Sequence, residues 1–551
     1  MSKANKKFKV LFIQLNRFGD LLQTLQCALS YKTENPDREI HLIGYTQFVS
    51  PLLFLLKDVF DEIHQIDTKK LFKNSSSQSH IVKSLKSEIA QINHYNFQQV
   101  FNLSFSKSSE YLTTLISSNK KKGLRRNKSG QIIIEDQWSQ YVFATTMSSN
   151  LNPFNLVDLF KSIVKTKMAP LIESEEAEKG EIICIHPFAS LERKQYGFSY
   201  WEQICSNFII KYPEIKIYVL GSDLDEMNFQ HINKNNSSQI IPYFGKSFEK
   251  VLEKLNQSKL LIANDSMVGH LSAFTSTPSL TLALGSVRPE ETTPYKLNAY
   301  VLEPNIDCFS CSPRTPCDFY QCHYKLNPKY VFMISELLYL NGNLPDEEVI
   351  NNEEILNLSS GASLFKYDLV NDSQLHLSKL HFNYDSSEQI FRNFYFLIWN
   401  LYLNNQDTNL SFPYLNKKSS TELLSYKRKI ESAYEIYSFG SKFSSDIIDR
   451  LTKPFDSFDE IQPLIDKLNE IDTLLNILKE GSPLLSPIIN FFYVQKMNIT
   501  SNTLIDVARD TKLILNEAQS VLSALLELSQ KSIENNIKSS PSVSRSSIGD
   551  N

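Results

Sequence analysis

No run of about twenty consecutive apolar residues occurs in this chain, and a helix needs that length to cross a bilayer. The nearest candidate, Phe394–Leu403, is about half as long as a span requires. The opening, MSKANKKFKVLFIQL, is basic and then apolar. Its apolar part is too short for a secretory leader and flows directly into a strand-turn-helix pattern, so no signal peptide is expected. An excess of basic residues is also missing: the net charge is −4, which excludes a general nucleic-acid binder. Seven cysteines, four of them clustered, do not make the disulfide framework of a secreted chain. The cytoplasm is the expected compartment. No GxGxxG follows the first apolar strand, which argues against an NAD-type dinucleotide site.

What is present is enough apolar sequence, 42% of 551 residues, to bury large cores in three or four domains. Residues 1–168 alternate strand and helix. The strands are expected at Lys9–Leu15, Glu39–Tyr45, Glu62–Ile66 and Gln99–Leu103, with helices between them, and such alternation implies a parallel sheet. Pro170 to Gly180 is acidic, holds Pro and Gly, and reads as a linker. A second α/β domain follows at 181–342, with strands at Glu181–Ile185, Ile215–Leu220, Gln239–Tyr243, Lys259–Ala263, Ser279–Leu284 and Ala299–Leu302. Residues 343–385 are polar and read as an irregular linker. From 386 to 530 the apolar spacing is helical, beginning with a capping box at Ser386–Gln389 and expected to form a separate domain with its own core. Residues 531–551 are Ser-rich and read as a disordered tail.

The chemistry centres on Leu260–His270. A short buried-strand run ends in Asn264-Asp265-Ser266 and a helix follows. The first N–H groups of that helix have no partner and carry the positive end of its dipole, an arrangement that binds anions. Asp265 and Ser266 are equally good as plain helix caps. Comparable strand-turn units stand at Ile182–His186 before Ser190 and Arg193-Lys194, at Leu280–Leu284 before Gly285-Ser286, and at Val10–Ile13 before Arg17-Phe18-Gly19-Asp20. Cys308-x2-Cys311-x5-Cys317-x4-Cys322 lies in a loop with Pro313 and Pro316. Four thiolates at this spacing suit tetrahedral Zn or Fe, while free thiols or a disulfide are the other readings. The basic run Lys120 to Lys128 reads as a solvated surface.

Together, and in this order from Lys9 to Gly342, these segments resemble glycosyltransferase family 9, the heptosyltransferases. That family shows a strand ending in GD, a mid-chain hPgas…K segment, and nDSgxxH followed by LfG. Leu25 stands here in place of a family Pro, and Met267 in place of the motif's Gly. The resemblance implies an α/β fold of the GT-B kind, two Rossmann-like domains facing across a cleft, with the all-helical C-terminal region outside the match. It implies an inverting transfer of heptose from a nucleotide-activated donor, ADP-heptose, to a lipopolysaccharide core sugar at the inner membrane surface. Asp20 would be the catalytic base and Lys194, with Arg193 competing for the role, would stabilise the leaving diphosphate. Ser190, Asp225, Lys246, Asp265, Ser266 and His270 would bind the donor: Asp225 at the ribose, Lys246 through its backbone at the adenine. Arg17, Arg125 and Arg126 would face the acceptor. No cofactor is needed for the chemistry. Clusters like the four cysteines occur in parts of the family, and some relatives that modify proteins hold iron there. Two rival readings remain: transfer to a protein side chain, and a non-catalytic binding or scaffold protein, for which Met267 is the main support. The helical region would supply a protein partner's surface or self-association.

Overall fold

The computed structural model describes residues 7–73, 78–145, 151–167, 179–312, 315–345, 349, 352–380, 385–408, 410, 415, 417–453 and 458–539. All but the last two residues of the linker expected at 170–180 lie outside them.

Short apolar runs make the strands. Val10, Leu11, Phe12 and Ile13 are fully buried and form β1 (Lys9–Ile13), covered on both faces as an inner parallel strand must be. With β2 (Glu39–Tyr45), β3 (Glu62–Ile66), β4 (Gln99–Asn102) and β5 (Lys120–Lys122) it forms a parallel sheet in the order β3-β2-β1-β4-β5. The start of the basic run is therefore an edge strand, and a two-stranded ribbon, β6 (Arg125–Arg126) with β7 (Ile132–Ile133), follows it. The second sheet repeats the order with β8 (Ile182–His186), β9 (Lys216–Gly221), β10 (Ile240–Phe244), β11 (Leu260–Asn264), β12 (Ser279–Leu282) and β13 (Ala299–Pro304). Its order is β10-β9-β8-β11-β12-β13, again all parallel. In both sheets the winding reverses beside the first strand, and ligands of such sheets sit outside the carboxyl ends of the strands at that point. Two Rossmann-like domains of this kind constitute the GT-B architecture.

The stretch 343–385, expected to be irregular, instead carries a short helix, Glu353–Leu358, and two strands. β14 (Ala362–Val370) and β15 (Gln374–Lys379) pair antiparallel and extend the second sheet to eight strands. The many Asn, Ser and Asp residues concealed a hairpin whose turn they build: Asn371 and Asp372 take φ of 52° and 57°, the left-handed conformation that short polar residues tolerate best. Alanine, leucine and aromatic side chains on these strands complete the core.

Contacts divide the chain into two compact units, Met1–Ser139 with Phe154–Asn383, and Gln140–Pro153 with Tyr384–Asn551. Within the first, helix α1 (Phe18–Glu34) follows β1, and helix α2 (Leu156–Val164) ends the first domain. Val157 of α2 packs among Ala283, Val287, Tyr295 and Tyr367 of the second domain. Beside it Lys161 Nζ, buried, donates to Asp158 Oδ1 (3.1 Å), the Tyr295 hydroxyl (3.2 Å) and the Ser373 carbonyl (2.5 Å). This polar cluster ties the two Rossmann-like domains together.

The second unit is helical and has its own core. Ser386 forms the capping box expected of it at the start of the helix Ser387–Asn404. Two long helices, Lys417–Leu451 and Leu504–Ser539, lie against one another. Gly440 lets them approach, because a Cβ there would come within 3.1 Å of Leu515. The unit also takes in a piece of the first-domain sequence: the Tyr141 ring lies 5.4 Å from Trp399. Residues 531–539, expected to be tail, belong instead to the last helix, which runs to Ser539 with Ser529 and Ser532 buried. Small hydroxyl side chains suit a tight helix contact as well as a solvated coil; the rest of the tail lies outside the described residues. Among the described residues no helix is long and apolar enough to cross a membrane.

Candidate active site

The turn after β1 and the turn after β11 meet. Arg17 caps α1 in extended conformation, and Gly19 and Asp20 stand in the first helical turn, near the positive end of the helix. The ring of His270, on helix α3 (Met267–Ser272), lies flat against Gly19: a Cβ at position 19 would come within 2.9 Å of His270 Cδ2. Glycine is needed there because another domain's side chain occupies the space. Burial pushes the Asp20 carboxyl above its ordinary value; the charge of His270 and hydrogen bonds from Asn16 and from the backbone of Arg17 and Asp20 act the other way. Burial likewise lowers His270, against the pull of Asp265 and Asp20.

Lys194 reaches the same place from the turn after β8. Its Nζ lies 2.8 Å from Asp265 Oδ2, a largely buried ion pair. Burial alone would raise Asp265, but the charge and hydrogen bond of Lys194, with His270 and Thr292, bring it below the ordinary range. Asn264 staples the turns together: its Nδ2 donates to the Pro187 carbonyl (2.7 Å) and its Oδ1 accepts from the Tyr196 N–H (3.2 Å). Two buried hydroxyls at the carboxyl ends of adjacent strands have no partner among the described residues: Ser266 Oγ after β11 and Ser286 Oγ after β12. A buried unpaired hydroxyl costs about 1–3 kcal/mol, and a polar ligand at this place would offset that cost.

The other sequence candidates are placed differently. Ser190 is exposed at the rim of the β8 turn, and Arg17 is exposed beside Asp20. Asp225 Oδ2 accepts from the Ser222 N–H (2.8 Å) and hydroxyl (2.6 Å), so it caps its own turn. Lys246 is exposed, 5.8 Å over the Tyr243 ring, next to Gly245, whose positive φ sets that loop against Asp223. Arg125 pairs with Glu135, and Arg126 bonds Glu110 (2.5 Å) and lies over Tyr111, so both guanidinium groups have local partners. Motif reasoning missed Ser286, which lies in the turn after a buried strand. It also missed Phe18, whose ring meets Phe48 at 5.2 Å and Phe248 of the second domain at 5.0 Å; no local signal announces such a contact.

Cys308, Cys311, Cys317 and Cys322 line one cavity of about 220 Å³. Burial raises the Cys322 thiol, and the other three thiols raise it further. The donor set is that of a zinc or iron site, yet among the described residues no group of three or more His, Cys, Asp or Glu is arranged to hold a metal ion.

A carboxylate on a rigid turn, a lysine–aspartate pair and unpaired hydroxyls thus gather at the ends of parallel strands in a two-domain α/β protein. The comparisons say what the chain is similar to. Residues 87–317 match the model of glycosyltransferase family 9 (heptosyltransferase), the family that the motifs resemble, and the helical region lies outside that match. A curated relative, lipopolysaccharide heptosyltransferase 1 of Campylobacter coli, is 25% identical over 301 residues, 50% of this chain and 83% of the relative. Among solved structures, E. coli heptosyltransferase WaaC with ADP is similar at 16% identity and TM-score 0.41, covering 53% of this chain and 92% of that one. E. coli ADP-heptose lps heptosyltransferase II is similar at 14% identity and TM-score 0.45, covering 61% and 99%.

Proposed function

We propose that this chain transfers a heptose from ADP-heptose to a lipopolysaccharide core sugar, with inversion at the anomeric carbon. The observation that carries the reading is the meeting of Asp20, through Gly19 and His270, with the Lys194–Asp265 pair. Asp20 takes the proton of the acceptor hydroxyl as its oxygen bonds to the anomeric carbon. The bond from that carbon to the diphosphate breaks on the opposite face. Negative charge develops on the leaving diphosphate, where Lys194, Ser266 and the first N–H groups of α3 face it. Asp225 and the backbone at Lys246 lie on the nucleoside side, and Ser190 at the rim. Arg17, with Arg125 and Arg126, faces an acidic acceptor presented at the membrane surface.

Titration calorimetry with ADP-heptose, against other nucleotide sugars as controls, tests the donor. Selective binding of ADP-heptose is expected; equal or absent binding contradicts the reading. A protein acceptor is the second reading, favoured by a helical unit that lies outside the family match and has its own core. Mass spectrometry of the glycosylated product separates the two, and a chain that binds donor without ever turning it over is a binding protein.

The four-cysteine loop is proposed to hold one structural zinc or iron, supported by four thiols on one cavity wall. The purified protein then carries about one metal per chain, and Cys308→Ser or Cys322→Ser loses it. Metal-free protein with full stability contradicts this.

A further inference from the structure

The cysteine loop does not stand apart from the donor pocket. It is bonded to the turn that presents Lys194, and Arg193 makes the bonds. Arg193 Nη1 donates to the carbonyls of Thr315 (2.8 Å) and Ser312 (3.2 Å) and lies 3.8 Å from Cys311 Sγ. The Arg193 carbonyl accepts from His323 Nε2 (3.0 Å), on the segment that carries Cys322. From the other side the Cys311 N–H donates to the Gly285 carbonyl (3.0 Å). Gly285, at φ 61°, presses on Arg193 so closely that a Cβ would fall 2.6 Å from the Arg193 carbonyl oxygen. Arg193 is thus fixed at its guanidinium, its carbonyl and its flank, all by the cysteine loop or by the strand end that the loop grips.

The next residue is Lys194, whose Nζ pairs with Asp265. Both belong to one tight turn, Glu192–Lys194. Neighbouring Cα atoms are about 3.8 Å apart across a planar peptide, so the turn moves as a piece. We propose that Arg193 is a positioning residue that makes the donor-diphosphate lysine depend on the order of the four-cysteine loop. The inference rests on the donor reading of Lys194 given above. Its consequence is reciprocal: an ordered loop favours nucleotide binding, and bound nucleotide orders the loop by the same factor.

The test uses full-length protein, with ADP as the probe. Two quantities are read: ADP affinity by calorimetry, and amide hydrogen exchange of peptides covering 192–196 and 308–322. Arg193→Ala should weaken ADP binding about tenfold, a typical coupling, and speed exchange in both segments. Arg193→Lys, able to reach one carbonyl only, should fall between. Lys194→Ala should weaken ADP binding but leave exchange in 308–322 unchanged, which separates positioning from contact. In the unmutated protein, saturating ADP should slow alkylation of the cysteine thiols, a readout that survives any folding defect of the variants. Arg193→Ala with wild-type affinity and wild-type exchange at 192–196 overturns the proposal, as does alkylation that ignores bound ADP. If no form binds ADP, the donor reading fails by itself; exchange at 192–196 in Arg193→Ala then decides the coupling, faster upholding it and unchanged overturning it.

Discussion

Asp20 is held in a place that raises the proton affinity of its carboxyl, and burial is the main reason. The sign of the stability effect follows. A carboxyl whose folded-state value is raised is better tolerated protonated, so its contribution is fully favourable below the unfolded value and is lost as pH rises through the folded value. At neutral pH the raised Asp20 carboxyl therefore costs stability. Asp20→Asn should melt at a higher temperature than the wild type at pH 7, with the difference vanishing on acidification below the ordinary carboxylate range; scanning calorimetry checks it. A lower melting temperature at pH 7 would mean that the hydrogen bonds from Asn16 and the backbone outweigh burial. At this scale the sequence was legible where a residue ends a strand and begins a helix: Asp20, Lys194, Asp265 and His270 all lie at such turns and come together. Arg125, Arg126 and Asp225 have local partners that spacing does not reveal, and the ring contacts of Phe18 depend on tertiary packing.

Among the elements, adjacent strands β2 and β3 carry a histidine pair, His41 buried and His64 half-buried. His41 Nδ1 lies 3.0 Å from His64 Nε2, and Tyr95 and Phe97 enclose the His41 ring. Burial, then the charge of His41, lowers His64 from 6.5 to about 4. A histidine lowered in the folded state contributes stability that is present above pH 6.5 and is lost as pH falls from there to about 4. Urea midpoints should decline across that window, and His64→Phe should flatten part of the decline; an unaltered slope would contradict the assignment. A second element, α2, joins the two domains through Lys161. Lys161→Met strands the buried Asp158 carboxylate and should cost about 3–5 kcal/mol in denaturant unfolding. A cost under about 1 kcal/mol, the range of exposed pairs, would make the cluster peripheral. The parallel strands were legible because buried apolar runs of strand length, cut by turn residues, leave few other readings. The β14–β15 hairpin was not read, because composition was weighed over the Asn371-Asp372 turn.

For the whole molecule, the helical unit is less separable than its periodicity suggested. Residues 140–153 belong to it although they fall within the first-domain sequence, and Tyr141 packs on Trp399 and Phe491. A chain ending at residue 345 would also lose two strands of the second sheet. A chain ending at residue 383 keeps that sheet but strips the partners of 140–153. It should be insoluble, or bind apolar dyes strongly, rather than behave as a free-standing transferase. A soluble monomer of 1–383 with full-length affinity for ADP would show that the helical unit is dispensable.

In the proposed function Asp20 acts as the base opposite an anion pocket centred on Lys194 and Asp265. The most direct test is the rate of ADP release from ADP-heptose in the presence of a lipopolysaccharide core acceptor, compared between the wild type and Asp20→Asn. The wild type should turn over, and the Asn variant should bind donor normally yet release ADP roughly 10²–10⁴-fold more slowly, the usual contribution of a general base. An Asn variant that turns over like the wild type, or a wild type that binds ADP-heptose and never releases ADP, would contradict the account.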